Sequence, residues 1–230
     1  MIINNLQLTI NLPMFENRQQ AGEMLAQYIA KYIYDHQINS QDVVVAFMPR
    51  GGLPIANEVA KVLKVPVFAV LVKKLAPFHK PEYGFGAIAP DGTTFVDNFY
   101  MKHLGVNESD LSWIIESTLE KIKQYQKFKI WDEKIVKDKI VFLVDDGIAT
   151  GYTAVVASKY LINLGAKKVI LAVPVCPARL SSAVVKEFDD IICLNPIYDF
   201  YAVGQGYLDF HQITDEEYMK MKNDLIDSSA

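Results

Sequence analysis

The fold is decided by the stretch Val141-Phe142-Leu143-Val144-Asp145-Asp146-Gly147-Ile148-Ala149-Thr150-Gly151-Tyr152-Thr153. An apolar run of strand length ends in two adjacent carboxylates. A loop of small residues and threonines follows, and helical spacing begins at Ala154. Adjacent carboxylates at the end of a buried strand repel each other and are costly unless cations or hydroxyl donors meet them. Ribose hydroxyls are such donors. The loop's backbone N–H groups and the start of the following helix favour a phosphate, by ~0.3–1 kcal/mol from the helix dipole alone. Thr150 and Thr153 add hydroxyl groups. Acid pair and phosphate cradle together read as recognition of a ribose 5-phosphate; the plainer reading is an acidic turn with a threonine cap.

Outward from this stretch the strand–helix–strand pattern repeats. Upstream, Val43 to Phe47 is a continuous apolar run ended by Pro49, Leu53 to Leu63 has helical spacing, and Val67 to Val72 is the next apolar run. Downstream come Lys168 to Val173, a helical stretch over Ala178 to Glu187, and a last strand over Ile191 to Leu194. Apolar strands that alternate with helices predict a parallel sheet covered on both faces. Asn17 is placed to cap an earlier helix, with Gln20 as its capping-box partner, and Asn107 to start another. Leu6, Leu8, Ile10 and Leu12 alternate with polar residues, as in a half-buried strand. Two segments break the alternation: Ala76 to Val106, with its glycines and prolines, and Pro196 to Phe210, which holds Tyr198, Phe200, Tyr201, Tyr207 and Phe210. Gly84 to Ala89 matches G-x-G-x-x-[GA], but Pro90-Asp91-Gly92 would stop a helix at once, so a hairpin turning at Asp91-Gly92 is expected rather than a dinucleotide loop.

Composition narrows the function. A chain of 230 residues with 51% apolar and 22% charged residues is long enough for one domain with extensions and too apolar for disorder. Lys and Arg number 23 against 27 Asp and Glu, a net charge of −4, so there is no bulk electrostatic reason to coat nucleic acid or an anionic membrane. The best apolar stretch, Val169 to Cys176, contains Pro174 and is too short to span a bilayer, and the N-terminus carries no cationic start. Cys176, Cys193 and four scattered histidines lack metal-ligand spacing; reduced core thiols in a cytoplasmic protein are expected.

Two further elements suit anions. Met48-Pro49-Arg50-Gly51-Gly52 follows a predicted strand and precedes a helix. Gly51 and Gly52 would let backbone N–H groups approach an anion, and Arg50 offers a rigid fork for phosphate oxygens. Lys73 and Lys74 are expected to end the second parallel strand on the same side as the other loops. Each alone is equally read as a surface turn or as solvated strand-end charge.

The 141–153 stretch resembles the signature of the type I phosphoribosyltransferases, which use phosphoribosyl pyrophosphate, and residues 48–52 resemble that family's pyrophosphate loop. The resemblance covers roughly Asp42 to Leu194. It implies an α/β fold with a central parallel sheet of about five strands flanked by helices, and a small hood from residues 1–16 and 195–230, all within one domain of 1–230. By the same resemblance Asp145 and Asp146 hold the ribose hydroxyls and, indirectly through ribose or water, Mg²⁺. Gly147, Ile148, Ala149, Thr150, Gly151, Tyr152 and Thr153 cradle the 5-phosphate, while Arg50, Gly51, Gly52 and Lys74 meet the pyrophosphate. Tyr152 stands where the family usually has a small residue. Lys73 and Glu82 are the further catalytic candidates. Glu82 lies in Pro81-Glu82-Tyr83-Gly84, which is similar to the Glu-Tyr-Gly of adenine-type members and falls in a mobile loop expected over about 76–106. Phe200 and Tyr201 are the candidates to stack on a base.

The function implied is transfer of ribose 5-phosphate from phosphoribosyl pyrophosphate to a nucleobase or other heterocycle, with release of pyrophosphate. Nucleotide salvage in the cytoplasm, Mg²⁺ as cofactor, and compatibility with a homodimer go with it. The rival is a regulator that binds phosphoribosyl pyrophosphate or a nucleotide and catalyses nothing. A third use of the same site is hydrolysis or phosphorolysis of a nucleotide.

Overall fold

The computed structural model describes residues 14–124 and 132–227; the Leu6–Leu12 alternation lies outside them. In chain order the elements are α1 (Arg18–Asp35), β1 (Val43–Phe47), α2 (Gly52–Leu63), β2 (Val67–Ala69), β3 (Lys73–Leu75), β4 (Gly86–Ile88), β5 (Thr94–Val96), α3 (Asn98–His103), α4 (Glu108–Gln124), β6 (Ile140–Val144), α5 (Tyr152–Asn163), β7 (Lys168–Pro177), α6 (Ser182–Glu187), β8 (Asp190–Ile197) and α7 (Asp215–Asp227). Five strands form a parallel sheet in the order β2-β1-β6-β7-β8, and β3, β4 and β5 form a separate antiparallel sheet.

The continuous apolar runs are continuous because both faces of the large sheet are covered. Val43, Val45 and Phe47 of β1, with Phe142 and Val144 of β6, pack in one core with Leu25 of α1 and Ala56 of α2. The alternate residues Val44, Ala46, Val141 and Leu143 pack in a second core with Val156 and Leu161 of α5. A period of two thus feeds two cores from one strand. From β1 the chain moves outward to β2, and from β6 it moves the other way to β7 and β8. The sheet reverses its direction of growth between β1 and β6, and ligands bind in the crevice outside the strand ends at such a point. The register pairs Phe47 with Val144, so the 48–51 loop and the Asp145–Asp146 pair leave the sheet side by side.

Strand β7 runs on to Pro177, past the last residue paired with β6, and β8 continues beside it to Ile197. The predicted ends at Val173 and Leu194 are therefore too early, because the two strands keep pairing with each other above the site. The helix expected over 178–187 is correspondingly short, Ser182–Glu187. The overhang has a use: the Ile148 N–H donates to the Val175 carbonyl at 3.0 Å. Above it, residues 203–206 form a single 3-10 turn, and Phe15 joins the tail through hydrogen bonds with Gly206 and Leu208. Asn17 does cap α1, accepting from the Gln20 N–H at 3.0 Å, but the Gln20 side chain reaches back to the Glu16 N–H instead of completing a box with Asn17.

Two expectations are corrected. Lys73 and Lys74 do not end the second parallel strand: β2 stops at Ala69, and the two lysines open β3 of the antiparallel sheet. The segment 76–106 is not one long loop. Its second half is the hairpin β4–β5 turned at Asp91-Gly92, followed by α3. Phe85, Ala87, Ile88 and Ala89 are fully buried, so β4 is core and cannot swing as a lid. Residues 76–85 are the longest stretch of the segment without helix or strand, and of these Glu82 and Gly84 stand beside residues 147–153. Among the described residues no helix is long and apolar enough to cross a membrane.

Candidate active site

The capping of the helices marks the site. Asn17, Asp97, Asn107, Ser181 and Thr214 each accept a hydrogen bond from a first-turn N–H of their helices, α1, α3, α4, α6 and α7. Among the described residues the two α-helices without such a side-chain cap are α2, entered from Gly51, and α5, entered from Gly151. A helix start without a cap leaves orphan N–H donors. Both open at the crevice between β1 and β6, but the donors left for an anion are those of α5. At the start of α2 the Gly52 N–H donates to the Met48 carbonyl at 3.0 Å, the Leu53 N–H donates to the Arg50 carbonyl at 3.2 Å, and Pro54 has no N–H. Gly151 has φ +76°, and a Cβ there would also come within 2.4 Å of Val184, so the residue entering α5 must be glycine.

Two compartments lie over the strand ends. One, of about 310 Å³, is bounded by Met48 to Gly51, Asp145, Asp146, Arg18, Phe210, Gln212 and Ile213. The other, of about 240 Å³, is bounded by Gly147 to Thr153 with Lys74, Glu82, Gly84 and Gly86. A larger cavity of about 590 Å³ runs along α4 beside Trp113 and includes none of the loop residues, so chemistry rather than size selects the site. Gly51 and Gly52 serve the acid pair directly. A Cβ on Gly51 would sit 2.2 Å from Asp146 Oδ2, and one on Gly52 would sit 3.2 Å from Asp145 Oδ1. The two loops are in contact across the β1–β6 boundary, and only glycine lets them be.

The acid pair is held from its own side of the sheet. Asp145 Oδ1 accepts the Asp146 N–H at 2.9 Å. Arg18, which is 8% exposed, donates from Nε to Asp146 Oδ2 at 2.7 Å and from Nη1 to the His211 carbonyl at 2.8 Å. Its guanidinium lies 3.8 Å from the centre of the Phe210 ring. The Tyr207 hydroxyl donates to the Asp146 carbonyl. Burial pushes the Asp145 carboxyl well above the usual carboxylate range, and the neighbouring Asp146 charge adds to this. Burial also raises Asp146, against the pull of Arg18. The Tyr207 phenol is raised by burial first and then by Asp146, so it keeps its proton and donates. A buried carboxyl pair that resists ionisation is one that a cation or hydroxyl donors would satisfy.

The structure brings most of the sequence candidates together. Asp145, Asp146, Arg50 and Gly51 line the first compartment, with Gly52 opening α2 behind them. Gly147, Ile148, Ala149, Thr150, Gly151, Tyr152 and Thr153 line the second with Lys74 and Glu82. Lys74 therefore stands beside the 147–153 loop, not beside the 48–52 loop. Its Nζ donates to the Glu82 carbonyl at 3.0 Å. Lys73 is half-buried at the start of β3 and lines neither compartment. Tyr201 is 85% exposed, and Phe200 packs on the core. Neither borders a compartment; of the tail aromatics Phe210 does. Sequence reasoning misses Arg18, Tyr207 and Asp215 as site residues. Arg18 does leave one signal: a cation in the first turn opposes the helix dipole, which is a reason to look for a carboxylate elsewhere.

Tyr152 is a strut. Its hydroxyl donates to Asp97 Oδ2 at 2.6 Å, and its ring lies against Phe95 at 5.3 Å, tying the start of α5 to the hairpin. The Tyr152 hydroxyl holds the Asp97 carboxyl below its ordinary range, and the Tyr100 N–H adds to this. A depressed carboxylate stabilises the fold above its unfolded pKa, and that contribution fades as pH falls through the lower folded value. Tyr152→Phe is expected to cost ~0.5–1.5 kcal/mol at pH 7, and less near pH 3, in thermal melts across that range.

A five-stranded parallel sheet, with an acid pair and two uncapped helix starts at its switch point, defines the type I phosphoribosyltransferase fold. Comparison with known proteins agrees. Residues 99–211 match the phosphoribosyl transferase domain family. A provisionally named phosphoribosyl transferase of Mycobacterium tuberculosis, Rv0571c, is 35% identical over 208 residues, covering 90% of this chain and 46% of that protein. The crystal structure of TT1426 from Thermus thermophilus superposes with a TM-score of 0.66 at 27% identity, covering 92% of this chain and 99% of that one. The chain thus carries a phosphoribosyltransferase domain and spans about half the length of the curated relatives it matches.

Proposed function

We propose that the protein transfers ribose 5-phosphate from phosphoribosyl pyrophosphate to a ring nitrogen of a nucleobase or similar heterocycle. The observation that carries this reading is the acid pair set between the uncapped start of α5 and the Arg50–Gly51 loop. The helix start suits the 5-phosphate and the loop the pyrophosphate, at the two ends of one ligand. In the reaction the acceptor nitrogen bonds to ribose C1 as the bond from C1 to the pyrophosphate oxygen breaks. Pyrophosphate leaves with that electron pair, and the acceptor's N–H proton passes to water or to the departing pyrophosphate. The transition state carries positive charge at C1, as in other glycosyl transfers. Asp145 and Asp146 favour that charge while holding the ribose, and Arg50 stabilises the leaving diphosphate.

The donor set fits Mg²⁺ of an indirect kind. Asp145 and Asp146 offer the hard oxygens such an ion takes. Among the described residues no group of three or more His, Cys, Asp or Glu side chains could hold a metal alone, so substrate oxygens and water would complete the shell. Bound there, Mg²⁺ would neutralise charge on the leaving group.

The non-catalytic regulator has one observation in its favour: the part of 76–106 beside the site that lacks helix or strand is short, residues 76–85, because β4 is core. A screen for pyrophosphate release with phosphoribosyl pyrophosphate, Mg²⁺ and a panel of bases separates the two readings. Turnover with any base supports the transferase. Tight binding of phosphoribosyl pyrophosphate without turnover supports the regulator. Arg50→Ala tests the assignment of the compartments. It is expected to weaken phosphoribosyl pyrophosphate by ~1.5–3 kcal/mol, the range for a charged hydrogen bond, and to leave a nucleoside 5-monophosphate unchanged in titration calorimetry.

A further inference from the structure

Arg50, the arginine of the diphosphate compartment, is already held by a carboxylate of the chain itself. Its Nη1 donates to Asp215 Oδ1 at 2.8 Å. Asp215 is the first residue of α7, and its position is fixed. Thr214 and Glu217 cap that helix reciprocally, at 2.8 and 3.1 Å, and Tyr218 and Leu225 bury it against the body of the domain. Arg50 borders the compartment and Asp215 does not. Both side chains are partly exposed, at 30% and 49%, and pairs so exposed contribute little stability. A diphosphate offers the same guanidinium a stronger, forked, charge-assisted contact. The balance in the empty site is also wrong for such a ligand. Arg18 and Arg50 face three carboxyl groups, Asp145, Asp146 and Asp215, and Arg18 is committed to Asp146.

We infer that Asp215 is a specificity-determining residue of this compartment: it holds Arg50 until a diphosphate replaces it, and a ligand with only a 5-phosphate leaves the pair intact. The inference rests on the substrate reading above. Exchange is a rotation of the Arg50 side chain alone, because α7 is packed and capped. The site therefore discriminates ligands by whether they can outcompete a carboxylate at fixed distance, and Asp215 sets that threshold.

The test is titration calorimetry with inorganic pyrophosphate plus Mg²⁺ and, separately, a nucleoside 5-monophosphate. The variants are wild type, Asp215→Asn, Glu216→Gln, Arg50→Ala and Arg50→Ala/Asp215→Asn, with thermal melts to show that each is folded. Asp215→Asn is expected to bind pyrophosphate about threefold to tenfold more tightly, with the monophosphate unchanged. Glu216→Gln removes a charge from the same turn without touching Arg50, and should change neither ligand by more than about twofold. Without Arg50, Asp215→Asn should have no effect, since the coupling is pairwise. Unchanged or weaker pyrophosphate binding by Asp215→Asn, or an equal gain from Glu216→Gln, overturns the exchange alone. A wild type that binds neither ligand overturns the substrate reading and the exchange with it.

Discussion

Asp145→Asn is expected to make the empty protein more stable and to abolish its response to ligand. The Asp145 carboxyl is pushed up mainly by burial and then by Asp146. A group whose folded pKa lies above its unfolded value lends stability that is complete below the unfolded pKa and is lost as pH rises through the folded one. At pH 7 to 8 the ionised form is therefore a cost to the empty fold. Asn removes the charge and keeps an oxygen for the Asp146 N–H. In melts with chelator at pH 7.5 the variant should unfold a few degrees higher, the shift that ~1 kcal/mol gives a chain of this length, and the gain should shrink toward pH 4. Phosphoribosyl pyrophosphate with Mg²⁺ at 100 times Kd should add ~2.7 kcal/mol to the wild type and nothing measurable to the variant. A variant that is no more stable, or that still responds to ligand, removes Asp145 from the ribose site. Asp146→Asn should behave in the opposite way without ligand, because it strands the Arg18 guanidinium.

The contrast between those two neighbours shows how far the sequence can be read. Residues 141–153 carry strand, acids, loop and helix start contiguously, so one local pattern specifies both a strand of the parallel sheet and the acid pair with its uncapped helix start. The 48–52 loop is legible for the same reason, although its glycines answer to the acid pair of a strand nearly a hundred positions away. What fails locally is anything set by another element. Lys73 and Lys74 read as belonging to the wrong sheet because a three-residue strand such as β2 leaves almost no periodic signal. The aromatic tail is recognisable as a cover, but which ring reaches the site depends on the turn at 203–206; it delivers Phe210 and leaves Tyr201 in solvent. Arg18 and Asp215 are single residues at the starts of amphipathic helices. Their partners are Asp146 and Arg50, and no spacing rule connects residues 128 or 165 positions apart.

Arg18→Met is the change expected to cost the fold most. Met keeps the volume and apolar stem beside Phe210 and removes only the charge and the donors. Asp146, whose side chain is only 13% exposed, then loses its counter-charge, and the His211 carbonyl loses a donor. Removing one partner of a buried pair costs about 3 kcal/mol or more, which at this chain length lowers the midpoint by roughly 6–12 °C. The pH dependence separates lost charge from lost packing. Arg18 pulls the Asp146 pKa down against burial, so without it the folded value rises further above the unfolded one. Asp146 in the variant can then escape the penalty by keeping its proton. The deficit relative to wild type should be small near pH 4 and should grow as pH rises toward 8, in melts made with chelator and no ligand. A deficit equal at every pH would mean that the stem contacts, not the charge, had been lost. The double variant Arg18→Met/Asp146→Leu supplies the second check. Replacing both members of a buried pair with apolar residues is often neutral, so its midpoint should return most of the way to wild type while ligand binding stays lost. If the double variant is no more stable than Arg18→Met alone, Arg18 supports the fold through Phe210 and His211, and its hold on Asp146 is incidental.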